Sequence, residues 1–262
     1  MRSKWAIGWC TVFAVAVVLP RFAAAVTASS PKAEIERAVV RALPVWQGRK
    51  AQVIAYLDLT RPFVTTAPWA LVVAQAAGPV SVPEWTDHGP ITVCFMGGFH
   101  PEYPQCTGSY WQGSEGMAWF VQPYSARPPR VVYADRNKMR PLLLVQTCTT
   151  PGINGSCSIR SSLYRYVGSL DQFRRVFVHD SDGSNNNQAA RFVEHGPLQG
   201  DVIVDYPTRH APYTYWIEVY VPGKSGQYVR ILRYRGRTGY GDRNPLAVAD
   251  SEMPELLKRL GL

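Results

Sequence analysis

Apolar and polar positions change period several times along this chain, and the changes mark out its elements. Ser30-Pro31 places an N-cap residue before a proline at the first helical position. Ile35, Val39 and Leu43 then recur every four residues, which predicts a short helix over 31–43 that Pro44 stops. From Ala51 the period drops to two. Val53, Ala55, Leu57 and Leu59 alternate with Gln52, Tyr56 and Asp58, the pattern of a half-buried strand. Residues 69–75 and 91–96 predict further strands, set off by Pro- and Gly-rich turns. Residues 97–116 read as a long loop pinned by Cys106, and Leu142-Leu143-Leu144-Val145 reads as a buried strand. Leu256, Leu257 and Leu260 share one side of a closing helix over 251–260.

Two segments resemble each other. Tyr166-Val167-Gly168 precedes Gln172-Phe173-Arg174-Arg175-Val176, and Tyr220-Val221-Pro222-Gly223 precedes Gln227-Tyr228-Val229-Arg230-Ile231. Both read aromatic-Val, a turn, then Gln-aromatic-x-Arg-aliphatic, at a spacing of 54 to 55 residues. Alternation on both sides of each turn predicts two similar β-hairpins, near 163–178 and 213–235. A faint third copy is suggested at Phe120-Val121 and Arg130-Val131. A period near 50 suits propeller blades, yet closure needs at least four and this chain offers three or four at most. The expected fold is therefore mainly β: an antiparallel sandwich or an open, propeller-like stack of sheets with short N- and C-terminal helices.

Composition refines this picture. With 262 residues, 46% of them hydrophobic and 18% charged, the chain is neither disordered nor polyelectrolyte-like. Its 21 Gly and 21 Pro argue against a helical bundle. The first residues read as an address: Arg2 and Lys4, an apolar run from Trp5 to Leu19, Pro20, then small residues. The expectation is a signal peptide over 1–25, cleaved after Ala25 or alternatively after Ala28, and a single mainly-β domain over 26–262. The apolar run is short for a membrane anchor, and Trp9 before Cys10 does not suit a lipobox. A cleaved chain is then periplasmic or secreted and not an integral membrane protein.

Cleavage would remove Arg2, Lys4 and Arg21, lowering the formal charge from +9 to +6. The remaining basic excess lies on the two hairpins, because 160–178 carries four Arg against Asp171, and 223–243 carries six basic residues against Asp242. For an exported chain this favours an anionic glycan, lipopolysaccharide or an envelope protein as partner over nucleic acid. Cleavage would also leave four cysteines, enough for two disulfides in an oxidising compartment. Three connectivities are possible. Cys94–Cys106 and Cys148–Cys157 are expected because each closes a short loop.

Several groups could carry chemistry. Trp216, Tyr220, Tyr228 and Tyr234, interleaved with Arg230 and Arg233, predict a contact surface on the C-terminal sheet. Packing of most rings and charge-guarding of a sheet edge are the plainer alternatives. Asp180, Asp182, Asn185 and Asn187 offer alternating oxygens that suit calcium, although the twelfth position of such a loop, Arg191, is not the expected Glu. A solvated turn explains the same residues. No other cofactor is expected. His179, His195 and His210, with Glu194, Asp182 and Asp205, could form a hydrolytic site, but they show no ligand spacing and no nucleophile elbow.

Asn185-Asn186-Asn187-Gln188, Glu194-His195-Gly196-Pro197-Leu198, Ala211-Pro212-Tyr213-x-Tyr215-Trp216 and Gly241-Asp242-x-Asn244-Pro245-Leu246 resemble an uncharacterised group of exported Gram-negative bacterial proteins. Tyr56-Leu57-Asp58-Leu59-Thr60-Arg61-Pro62 extends the likeness more loosely. The resemblance implies export and brings no activity. The sequence therefore points to a non-catalytic envelope or extracellular binding protein. A periplasmic hydrolase with a His/Glu/Asp site and a structural β module with a calcium-stabilised loop are the alternatives.

Overall fold

The computed structural model describes residues 31–42, 51–76, 91–97, 105–107, 125–151, 157–181, 190–208, 210–211, 214–239 and 248–262. The chain forms three antiparallel sheets, each a meander in sequence order. The first holds β1 (Ala51–Asp58), β2 (Trp69–Ala76), β3 (Ile91–Gly97) and β4 (Gln105–Thr107). In the second, β5 (Ser125–Ala126) and β6 (Arg130–Tyr133) both pair with β7 (Pro141–Pro151), followed by β8 (Cys157–Val167) and β9 (Gln172–Ser181). The third holds β10 (Arg191–Phe192), β11 (Val202–Pro207), β12 (Thr214–Pro222) and β13 (Tyr228–Gly239). Helix α1 spans Pro31–Ala42, one turn of helix α2 spans Thr60–Phe63, and α3 spans Val248–Arg259.

The sheets stack face to face, and alternation along each strand decides which neighbour a side chain meets. Leu143, Val145 and Tyr164 of the second sheet pack on Leu71, Val73, Val93 and Phe95 of the first. Leu142, Leu144 and Leu163 point the other way, onto Phe192, Val202 and Val204 of the third. The four-residue apolar run of β7 thus exists because its sheet is covered on both sides. Ile35 and Ala38 of α1 pack on Val72, Ala74 and Met96, the outer face of the first sheet. Val248, Ala249 and Leu256 of α3 cover Ile203, Ile217 and Val219, the outer face of the third. Helices seal both ends of the stack, so the sheets remain open and propeller-like rather than closing into a ring.

The two similar hairpins are the last two strands of the second and third sheets. Each last strand carries a bulge, at Val176 between the pairs Leu163↔Phe177 and Tyr164↔Arg175, and at Ile231 between Val219↔Leu232 and Tyr220↔Arg230. Val176 and Ile231 are the closing aliphatics of the two copies, so the sequence repeat is a structural one. The faint third copy is not: Arg130-Val131 starts β6, the first strand of a meander, and Phe120-Val121 lies outside the described residues. The matching hairpin of the first sheet is β3–β4. There Cys94 faces Cys106 directly, and a disulfide joins them. Cys148 is buried on β7, whereas the side chain of Cys157 lies outside the described residues.

Smaller expectations shift. The first strand ends at Asp58, and Leu59 is fully buried beneath α2 rather than continuing the alternation. The closing helix starts at Val248, three residues before the apolar periodicity that predicts it.

Candidate functional site

Bulges and register place the six predicted contact residues on two different faces. On β12, Tyr215, Ile217 and Val219 point to α3, so Trp216, Glu218 and Tyr220 point to the opposite side. Tyr234 joins the α3 side: it is buried, donates to the Glu252 carboxylate (3.3 Å) and is covered by the Arg259 guanidinium (4.5 Å). The Ile231 bulge causes this, because one extra residue reverses which positions of β13 face inward. Tyr228 packs edge-on against Phe177 and donates to the Gly200 carbonyl (2.7 Å). Tyr220 packs on Phe177 as well.

Glu218 gathers most of the rest. Only 3% exposed, it accepts from Tyr220 (2.6 Å), Tyr206 (3.0 Å) and Arg230 (2.7 Å), and Arg233 lies 3.3 Å away. The Arg233 guanidinium stacks over Trp216 at 4.4 Å. Burial alone would raise the Glu218 carboxyl, but the hydrogen bonds from Tyr220, Tyr206 and Arg230 outweigh it and hold the group below its ordinary value. Burial, with the bond to Glu218, pushes the Tyr220 hydroxyl up to about 12. Arg230 and Arg233 are therefore engaged within the fold, neutralising a buried carboxylate.

The calcium loop falls mostly outside the described residues, as Asp182, Asn185 and Asn187 do. Asp180 lies within β9 directly opposite Arg160, which engages both its carboxylate oxygens (2.7 and 2.9 Å). The three histidines do not share a site. His179 is on β9 beside Tyr206, while His195 precedes β11 and the exposed His210 follows it. Glu194 and His195 do line one cleft of about 450 Å³, with Tyr133, Arg136 and Lys138. Glu194, however, is ion-paired with Arg130, His195 is exposed, and among the described residues no hydrogen bond joins the two.

A second cleft, of about 460 Å³, opens where three turns meet at one end of the stack. The β6–β7 turn supplies Ala134, Met139 and Arg140, the second-sheet hairpin Arg165 and Tyr166, and the third-sheet hairpin Gly223, Lys224, Gly226 and Tyr228. Phe63 and Leu142 add apolar lining. Among the described residues, three cations line the cleft and no carboxylate does. Arg140 is paired with Asp135 (2.9 Å). Arg165 is not paired: it donates to the Ser225 carbonyl (3.3 Å), and its Nε is buried with no hydrogen-bond partner among the described residues. Gly226, at φ +79°, lies against this guanidinium so closely that a Cβ would sit 2.0 Å from Nη1.

Arg165 is also the direct cross-strand partner of Arg174. Neither forms an ion pair among the described residues. Like charges at opposed positions of an antiparallel pair oppose pairing. Asp201, whose charge bears on Tyr228, is pushed up by burial to about 6 and supplies little counter-charge below that pH. Sequence reasoning located the basic hairpins but not this cleft, whose walls come from turns far apart in the chain. No known protein family matches the chain, and no curated protein or solved structure matches it.

Proposed function

We propose that the chain is an exported, non-catalytic binding protein of the periplasm or extracellular space, and that it holds an anionic ligand in the cleft between its basic hairpins. The observation that carries this reading is Arg165: buried in part, opposed by Arg174, joined by Lys224, and left with an unsatisfied Nε. A buried donor without a partner marks a strained guanidinium, at about 1–3 kcal/mol, and an anion seated in the cleft beside it offsets the like-charge repulsion. Guanidinium groups hold carboxylates and phosphates through paired hydrogen bonds. The rings of Tyr166, Tyr228 and Phe63 suit the flat, apolar face of a ligand body. Export is supported by the cationic and apolar opening of the chain and by the Cys94–Cys106 disulfide, which fits an oxidising compartment.

Calorimetric titration with glucuronic acid and glucose 6-phosphate, against neutral glucose, tests the site. Arg165→Gln should weaken binding about tenfold or more. Arg230→Gln, outside the cleft, should leave it unchanged. Equal binding by Arg165→Gln protein sinks the reading. Export is tested by the mass of protein recovered from the periplasm, which should correspond to a chain starting at Val26 or Ser29. Recovery with Met1 still attached and none in the periplasm would reject export.

A further inference from the structure

We infer that the occupant is a run of acidic oligosaccharide spanning two neighbouring clefts; this rests on the reading of the first cleft given above. The clefts of about 460 and 450 Å³ flank one turn, 134–140, and share it as a wall. Ala134, Met139 and Arg140 face the first cleft, whereas Asp135, Arg136 and Lys138 face the second. Each cleft is large enough for a small ligand of its own.

The two clefts repeat one chemistry. The first pairs Tyr166 and Tyr228 with Arg165 and Lys224. The second pairs Tyr133 with Arg136 and Lys138, the Lys138 ammonium lying 5.7 Å from the Tyr133 ring centre. Among the described residues none of these four cations is ion-paired. The carboxylates nearby are already used, Asp135 by Arg140 and Glu194 by Arg130. The shared wall is also rigid. Asp135 accepts from the Met139 N–H (2.8 Å) and from Arg140 Nε (2.9 Å), and Ala134 donates to the Arg140 carbonyl (3.0 Å).

A repeating ligand with a ring and an anionic group in each unit matches a repeated ring-plus-cation site divided by a fixed wall. Among the described residues the first cleft is lined mainly by three turns, which give an extended acidic peptide no ladder to pair with there, and the edge strand β6 lends only Val131 and Tyr133 to the second. Linking two units makes the second contact intramolecular, so affinity rises with ligand length without any new kind of contact.

The test is titration of the full chain with digalacturonate and hexagalacturonate. The hexamer should bind about tenfold or more tightly than the dimer. Arg136→Gln/Lys138→Asn should abolish that gain while dimer affinity, which reports the intact first cleft, stays unchanged; Asn suits the left-handed backbone of Lys138 (φ 56°). Equal affinities for dimer and hexamer, with dimer binding still lost in Arg165→Gln, overturn the two-cleft inference and leave the single-cleft reading standing. Failure of both ligands overturns this inference, and the single-cleft reading then stands or falls on the titrations with glucuronic acid and glucose 6-phosphate. Tighter binding of hexaglutamate or of a single-stranded hexanucleotide than of hexagalacturonate overturns the choice of glycan.

Discussion

The Cβ that Gly236 lacks would lie 2.9 Å from the carboxyl carbon of Glu252. Strand β13 and helix α3 can approach this closely only at glycine, and the approach lets Glu252, 3% exposed, accept from the Arg237 and Thr238 N–H groups and from the Thr238 hydroxyl, each at 2.7 Å. Glu252→Ala orphans these donors and should cost about 3 kcal/mol in urea unfolding. Gly236→Ala should also destabilise, since the carboxylate it meets is held by four hydrogen bonds, that from Tyr234 included. A Glu252→Ala protein as stable as the parent would show that this carboxylate does not anchor α3.

The Cys94–Cys106 disulfide staples the short edge strand β4 to β3 across a sequence separation of 12. Closing a loop of that size stabilises a fold by about 3 kcal/mol in the chain-entropy view. Reduction, or Cys94→Ala/Cys106→Ala, should lower stability by that order. Mass spectrometry of unreduced peptides should recover the linked pair, and finding both as free thiols in the folded protein would refute it.

Charge reversal at Arg230 and Arg233 should destabilise the third sheet. The two guanidinium groups surround a carboxylate that is only 3% exposed, so Arg230→Glu/Arg233→Glu would place three acids together. Glu218→Gln should cost about 2 kcal/mol, because two tyrosine hydroxyls and two arginines lose their charged acceptor. The pH dependence has a definite sign. Glu218 is held below its ordinary value, so its contribution is present above the ordinary carboxylate range and is lost as pH falls through the lowered value. Glu218→Gln should flatten the acid limb of stability against pH. An unchanged acid limb would remove Glu218 as its source.

Local pattern made the strands legible, and long-range stacking hid the site. The alternation of Val53 to Leu57 and the apolar run at Leu142 mark real strands because both record burial next to their own positions. The repeat was legible down to Val176 and Ile231, whose bulges recur. What a bulge does to facing was not legible: Tyr234 shares a sequence cluster with Arg233, yet one extra residue at Ile231 sends it to α3. Nor could Glu218 be identified as the partner of Arg230 and Arg233, since that depends on the register of β12 on β13. The cleft depends on three turns, at 134–140, 165–172 and 222–228, that only face-to-face packing of sheets brings together.

Asp205 should make the protein progressively less stable as pH rises from about 4 towards neutrality. It lies on β11 facing α3, is 2% exposed, and accepts from the Ala249 N–H near the start of that helix. Burial drives its carboxyl up to about 7, opposed by Arg191 and by the Ala249 bond and reinforced by Asp250. Arg191 is itself ion-paired with Asp250, which limits its help. The unfolded carboxyl ionises near 4, so between about 4 and 7 the folded state keeps a proton that the unfolded state has released. The stabilisation is complete below 4, declines as pH rises, and is lost above about 7, an effect on the order of a few kcal/mol. Asp205→Asn keeps an acceptor for Ala249 and cannot ionise. It should match the parent at pH 4 and exceed it at pH 8 in urea midpoint, and parallel stability curves for the two proteins from pH 4 to 8 would rule this account out.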